Sequence, residues 1–177
     1  PLPFVKEAWD RGLVLDIGHG TGSFSFDTAT EMARRGLAPD VISTDTHHMS
    51  VQGPMFDLPT TMSKFLALGL SLRDVVERTT TRPARAIRHP ELGSLRVGSP
   101  ADVAVLDLVA GDFTFYDVNL TPLRGTRLLR SVLTVRAGAA MEQREVPPIP
   151  FWVELPPQQQ PIVGLRPGEA IRVPASG

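Results

Sequence analysis

"LVLDIGHGTGSFS", residues 13–25, is the stretch on which the reading of this chain turns. A run of apolar residues ends in Asp16, and Gly18, Gly20 and Gly22 then alternate with His19 and Thr21 before a set of hydroxyl side chains. Apolar runs bounded by glycine read as buried strands, and glycines after a strand let the backbone approach a ligand closely. Three chemistries use such a segment: a phosphate-cradling loop, an acid-and-glycine cofactor loop, or the end of a barrel strand carrying a catalytic histidine. The phosphate loop lacks its signature, because no Lys-Ser or Lys-Thr follows the glycines to meet the β- and γ-phosphates.

Working outward, the flanking segments alternate strand and helix. "DTATEMARRG" (27–36) places Ala29, Met32 and Ala33 on one face and ends on Gly36, a helix stop. "PDVISTD" (39–45) is a second buried-strand pattern closed by Asp45. Two helical patterns follow, "TTMSKFLALG" (60–69) and "SLRDVVERTT" (71–80), with Met62, Phe65, Leu66, Leu72, Val75 and Val76 expected in a core. Gly69 reads as a stop and Ser71 as an N-cap. Strand–helix alternation predicts parallel α/β architecture. From residue 91 the texture changes to glycine-punctuated turns and strands, "DVAVLDL" (102–108), "FTFYDV" (113–118) and "SVLTVRAG" (131–138), a β module extending to residue 145. Residues 146–177 hold eight prolines and a Gln triplet, which predicts an extended tail.

Composition narrows the function classes. In 177 residues, 18 Lys and Arg stand against 19 Asp and Glu, a net charge of −1. That balance provides no footprint for nucleic acid or an anionic membrane. No apolar run approaches the ~18 residues of a membrane span, so the expectation is a cytoplasmic protein with no nucleic-acid or membrane partner. With no cysteine, any metal must be held by His, Asp, Glu or groups beyond this chain. The amphipathic segment at Phe4, Val5, Ala8 and Trp9 begins at once, which suggests that it continues an upstream structure.

"LDIGHGTGSFS" also resembles the first motif of class I S-adenosylmethionine-dependent methyltransferases, with Asp45 as the ribose-binding acid. Gly18 and Asp45 stand further apart than the ~20 residues of such spacing, and the further parallel strands of that fold are missing. A longer ordered series carries more weight: "DIGHGTGSFSF" (16–26), "ISTDTH" (42–47), "MSKFLALGLSL" (62–72), "TTTRPARAI" (79–87) and "LGSLRVGSPADVAVLDL" (92–108). Together these resemble the C-terminal part of the amidohydrolase superfamily, near its deacetylase and dihydroorotase-like branch, over roughly residues 1–140.

The resemblance implies an α/β fold. Residues 1–90 would be the last two strand–helix units of a (β/α)8 metallohydrolase barrel, and residues 91–145 part of a small composite β-sandwich. Strand-end residues then carry the chemistry, as in other such barrels. Asp45 matches the eighth-strand aspartate, which touches the metal and shuttles a proton from the attacking water to the leaving group. His19 matches a seventh-strand histidine that binds substrate beside its reacting carbonyl. Gly18 and Gly20 would leave room for substrate, and His47 would line the pocket. Read on their own, Asp16 suits a structural bridge, Ser23 and Ser25 suit caps of the next helix, and Asp102 suits a turn pin.

The family's remaining metal ligands have no counterpart: no His-x-His occurs, and there are only 4 histidines. A catalytic zinc wants three or more protein ligands. The expectation is therefore zinc or another divalent metal, one or two ions, with most ligands outside this chain and supplied by a missing N-terminal barrel half. The substrate would be a small acyl amide or ester, and the chain alone would be inactive. Self-association into a homo-oligomer is a further expectation. A non-catalytic α/β module that pairs with a partner chain is the rival from another class.

Overall fold

The computed structural model describes residues 2–142. The extended tail expected over 146–177, and the end of the β module at 143–145, lie outside the described residues.

Helix α1 (Pro3–Asp10) leads into strand β1 (Asp16–Gly18), helix α2 (Phe26–Arg34) and strand β2 (Val41–Ser43). Helices α3 (Leu58–Ala67), α4 (Leu72–Thr79) and α5 (Thr81–Ala86) follow, then strands β3 (Val103–Tyr116), β4 (Pro122–Arg136) and β5 (Ala139–Met141). β1 and β2 pair in parallel, with Ile17 opposite Ile42. β3, β4 and β5 form an antiparallel sheet in that order. The α/β class and the order of elements match the sequence expectation; the sandwich does not show as such, since the β module is a single sheet among the described residues.

Three local differences have physical reasons. The first strand is shorter than its apolar run: Leu13 and Val14 remain exposed because, among the described residues, β1 has only β2 beside it. The segments around "DVAVLDL" and "FTFYDV" are one long strand, interrupted in register between Ala110 and Phe113, where the backbone absorbs the glycine-acid pair as an irregularity. Val76 is exposed while Val75 is fully buried, so α4 presents a narrower apolar stripe than its sequence suggests.

The core centres on α3. Every residue from Thr60 to Leu66 is buried, because the helix packs on β4 on one side and faces the β1–β2 layer on the other. Met62, Phe65 and Leu66 meet Phe24, Ile42, Val75, Phe113, Phe115, Leu128 and Leu129 in one cluster. Residues before and after position 90 therefore share a core. α3 starts cleanly because the Asp57 carboxylate accepts the Thr60 N–H at 2.7 Å, and α4 because the Ser71 hydroxyl accepts the Asp74 N–H at 3.1 Å. Hydroxyls within α3 are absorbed locally: Ser63 donates to the Pro59 carbonyl and accepts the Leu129 N–H at 2.8 Å, which ties the helix to β4.

Candidate active site at the strand ends

The β1–β2 pairing runs past the strands. The His19 N–H donates to the Ser43 carbonyl at 3.3 Å and the Gly20 N–H to the Thr44 carbonyl at 2.9 Å. Asp45 then turns out of the sheet in the left-handed region, at φ 47°. Its side chain lies directly over the glycine loop. A Cβ at Gly20 would fall 2.6 Å from Asp45 Oδ2, and one at Gly18 would fall 3.3 Å from Asp45 Cβ. The space that the missing side chains leave is thus occupied by Asp45 itself. Gly20 also sits at φ +49°, a conformation that costs a side chain. The Asp45 carboxylate is exposed and has no hydrogen-bond partner among the described residues.

His19 is fully buried beneath that loop and stacks at a tilt on Phe24, with ring centroids 4.8 Å apart. Its Nδ1 lies 3.0 Å from the Gly20 carbonyl, and its Nε2 lies 2.7 Å from Lys64 Nζ. A carbonyl only accepts, so Nδ1 carries the hydrogen and the Nε2 lone pair accepts from Lys64. Both ring nitrogens are therefore engaged within the chain, on the inner side of the loop. Burial first, and the Lys64 charge second, push the imidazole down from 6.5 to about 3, so it stays neutral.

Lys64 Nζ also donates to the Pro54 and Tyr116 carbonyls, each at 2.6 Å. Its three hydrogens thus meet three acceptors. Burial lowers this amine to about 7, opposed by Asp117 and Asp57. Asp117, fully buried just past β3, accepts the Phe26 N–H at 2.8 Å through Oδ2, and the Asn119 and Thr121 N–H groups through Oδ1. Ser25 occupies the N-cap position of α2 without a side-chain capping bond. The cap expected from the serines comes from Asp117 instead, across 91 residues of sequence.

His47 lies in the loop after Asp45, half-buried, its N–H donating to Ser50 Oγ at 2.9 Å. The Met49 N–H reaches His47 Nδ1 at 3.4 Å. Buried Ser50 donates back to the carbonyls of Asp45 and His47 and so fixes the start of this loop. Asp16 accepts the Ser43 hydroxyl at 2.6 Å, a bridge between strands, and Asp102 accepts the Ala137 N–H at 2.7 Å, a turn pin. The structure brings Gly18, Gly20 and Asp45 into contact with one another and sets His19 under them.

Lys64 and Asp117 were not singled out by sequence. Lys64 had one signal: it is the only charged residue of α3, a helix otherwise made of apolar and hydroxyl side chains. Asp117 had only the look of a local turn, with Asn119 and Thr121 just after it, and its bond to Phe26 is distant in the chain. For a metal, the described residues offer Asp45 as one ligand but no group of three or more His, Cys, Asp or Glu. A catalytic zinc needs three protein ligands. The described residues by themselves do not make a complete metal site.

Comparison with known proteins gives this geometry a context. A family model described as the amidohydrolase family matches residues 22–152. A deacetylase of Agrobacterium fabrum is 42% identical over 138 residues, which cover 77% of this chain and 34% of that protein. A deacetylase of Enterococcus faecalis is 33% identical over 136 residues, covering 76% of this chain and 37% of the relative. This chain thus spans about a third of the length of the curated relatives it matches. Among solved structures, an adenine deaminase superposes with a TM-score of 0.74 at 31% identity, over 80% of this chain and 39% of that one. A dihydroorotase superposes with a TM-score of 0.70 at 41% identity, over 78% and 36% respectively.

Proposed function

This chain belongs to the amidohydrolase family, and from that premise we propose that it forms the C-terminal part of a metal-dependent hydrolase that deacylates a small amide or ester. One observation carries the reading: the Asp45 carboxylate, without a partner among the described residues, stands exposed at the end of the second parallel strand, close over the backbone of Gly18 and Gly20. Family membership sets aside the methyltransferase reading of the glycine loop, which rested on that motif alone.

In this reading β1 and β2, with their helices, are the last two units of a (β/α)8 barrel, and residues 91–145 contribute to a composite sandwich. Each of the two strands pairs only with the other among the described residues. Unpaired strand edges at the heart of a fold call for partners, and the other barrel strands would supply them. Proteins of this superfamily generally use divalent metals. Asp45 would contribute one ligand oxygen, and the other ligands would come from beyond this chain. The chemistry assigned to Asp45 is proton transfer: its carboxylate accepts a proton from the attacking water and passes it to the leaving amine or alcohol. Gly18 and Gly20 hold the backbone close against it. His47 faces the same strand end and would border the substrate, while His19 supports the loop from below.

The test compares two preparations, the 177-residue chain and a longer protein that contains it, each supplied with divalent metal and a panel of acetylated amides and esters. The account expects hydrolysis by the longer protein and none by the chain. Turnover by the chain alone, or no acyl hydrolysis by the longer protein, contradicts it.

A further inference from the structure

A buried ammonium group is expensive to desolvate, by several kcal/mol even after relaxation. A methionine of similar length would fill the interior of α3 without that cost. Yet Lys64 is 1% exposed, and all three of its hydrogens are spent within one small volume under the glycine loop. Its acceptors come from three separate segments: His19 after β1, Pro54 before α3 and Tyr116 at the end of β3. The link continues through the imidazole. With Nε2 held by Lys64, Nδ1 is left to donate to the carbonyl of Gly20, the residue on which a Cβ would fall 2.6 Å from Asp45 Oδ2.

We propose that Lys64 is a positioning residue for the Asp45 site: from α3 its ammonium fixes the His19 ring in the Nδ1–H form, and the ring in turn anchors the Gly20 backbone on which the carboxylate rests. It acts on the reaction only through His19 and Gly20. The importance of this arrangement for turnover rests on the reading of Asp45 as the proton-transferring group. The position of the His19 hydrogen does not.

The test is therefore made first on the hydrogen itself. In the chain labelled with 15N-histidine, long-range 1H–15N correlation at about pH 5.5, where Lys64 is charged and His19 neutral, reports which ring nitrogen is protonated, and His19→Gln identifies the signal. The expected result is a single Nδ1–H tautomer at His19. An Nε2–H form, or a mixture, overturns the proposal without any change at Lys64. In Lys64→Met the Gly20 carbonyl alone favours Nδ1–H, so an admixture of the Nε2–H form is expected; an unchanged His19 signal in that folded variant also overturns the proposal. In the longer protein, Lys64→Met is expected to lower kcat by about 10²-fold with little change in KM, the size of effect that slight misplacement produces. A normal kcat overturns the positioning role. Failure of the longer protein to hydrolyse any acyl substrate defeats the functional reading instead and leaves the tautomer result standing.

Discussion

The two ends of the β3–β4 ribbon make opposite use of the same antiparallel pairing. At the turn end, Phe113 and Phe115 are 9% and 2% exposed, and the Asp117 carboxylate accepts three backbone hydrogen bonds. At the other end Val105 and its register partner Leu133 are 43% and 37% exposed, and Val132 is open as well. One end is finished by groups from within the chain and also supports the glycine loop. The other presents apolar side chains with no cover among the described residues. Polar burial in this molecule is thus concentrated where the candidate chemistry sits, and unfinished apolar surface where it does not.

That contrast can be broken by substitution. Asp117→Ala leaves three N–H groups without their acceptor, one of them the first amide of α2, and is expected to cost about 3 kcal/mol in denaturant unfolding. A loss below about 1 kcal/mol would show that water replaces the carboxylate and that the near end is less closed than described. Substitution at the far end should be milder. Val105→Ala removes a side chain that is already part-exposed, and a change of roughly 1 kcal/mol or less is expected. A larger loss there would mean that this face is covered in solution.

Acid sharpens the comparison further. His19 titrates at about 3 in the folded chain and at 6.5 when unfolded, so the unfolded state takes up its proton first as pH falls. The stability linked to His19 is complete above about 6.5 and is lost progressively toward 3. Unfolding measured across that window should fall more steeply in the wild type than in His19→Gln. Parallel curves would show that the ring is not held neutral. The exposed His89, paired with Glu91 at 2.9 Å, gives a control of smaller effect: His89→Gln should leave the curve within about 0.5 kcal/mol of wild type.

What the sequence revealed followed from local pattern. The strand–helix order, the core positions Met62, Phe65 and Leu66, the Ser71 cap and the Asp102 turn pin all depend on near neighbours and on hydrophobic period. The proximity of Asp45 to the glycine loop was implied by family resemblance, and its detail, a carboxylate filling the space above Gly18 and Gly20, needed coordinates. Lys64 and Asp117 were hidden because the contacts that tie them to the site, to His19 and to Phe26, span 45 and 91 residues, and a charged residue is by default a solvated one. The first half of β4, "PLRGTRLLR", gave no strand signal because arginines and a glycine break its alternation, and Gly125 is needed where a Cβ would strike the Phe115 ring at 2.8 Å.

The central claim is that a single exposed carboxylate performs the proton transfer, and kcat of Asp45→Asn in the longer, metal-supplied protein tests it most directly. The substitution keeps the side chain's shape over Gly20 and removes its ability to take up a proton. A fall of about 10³-fold or more is expected, the size of effect that loss of a general base produces. Turnover within a few fold of wild type would contradict the account.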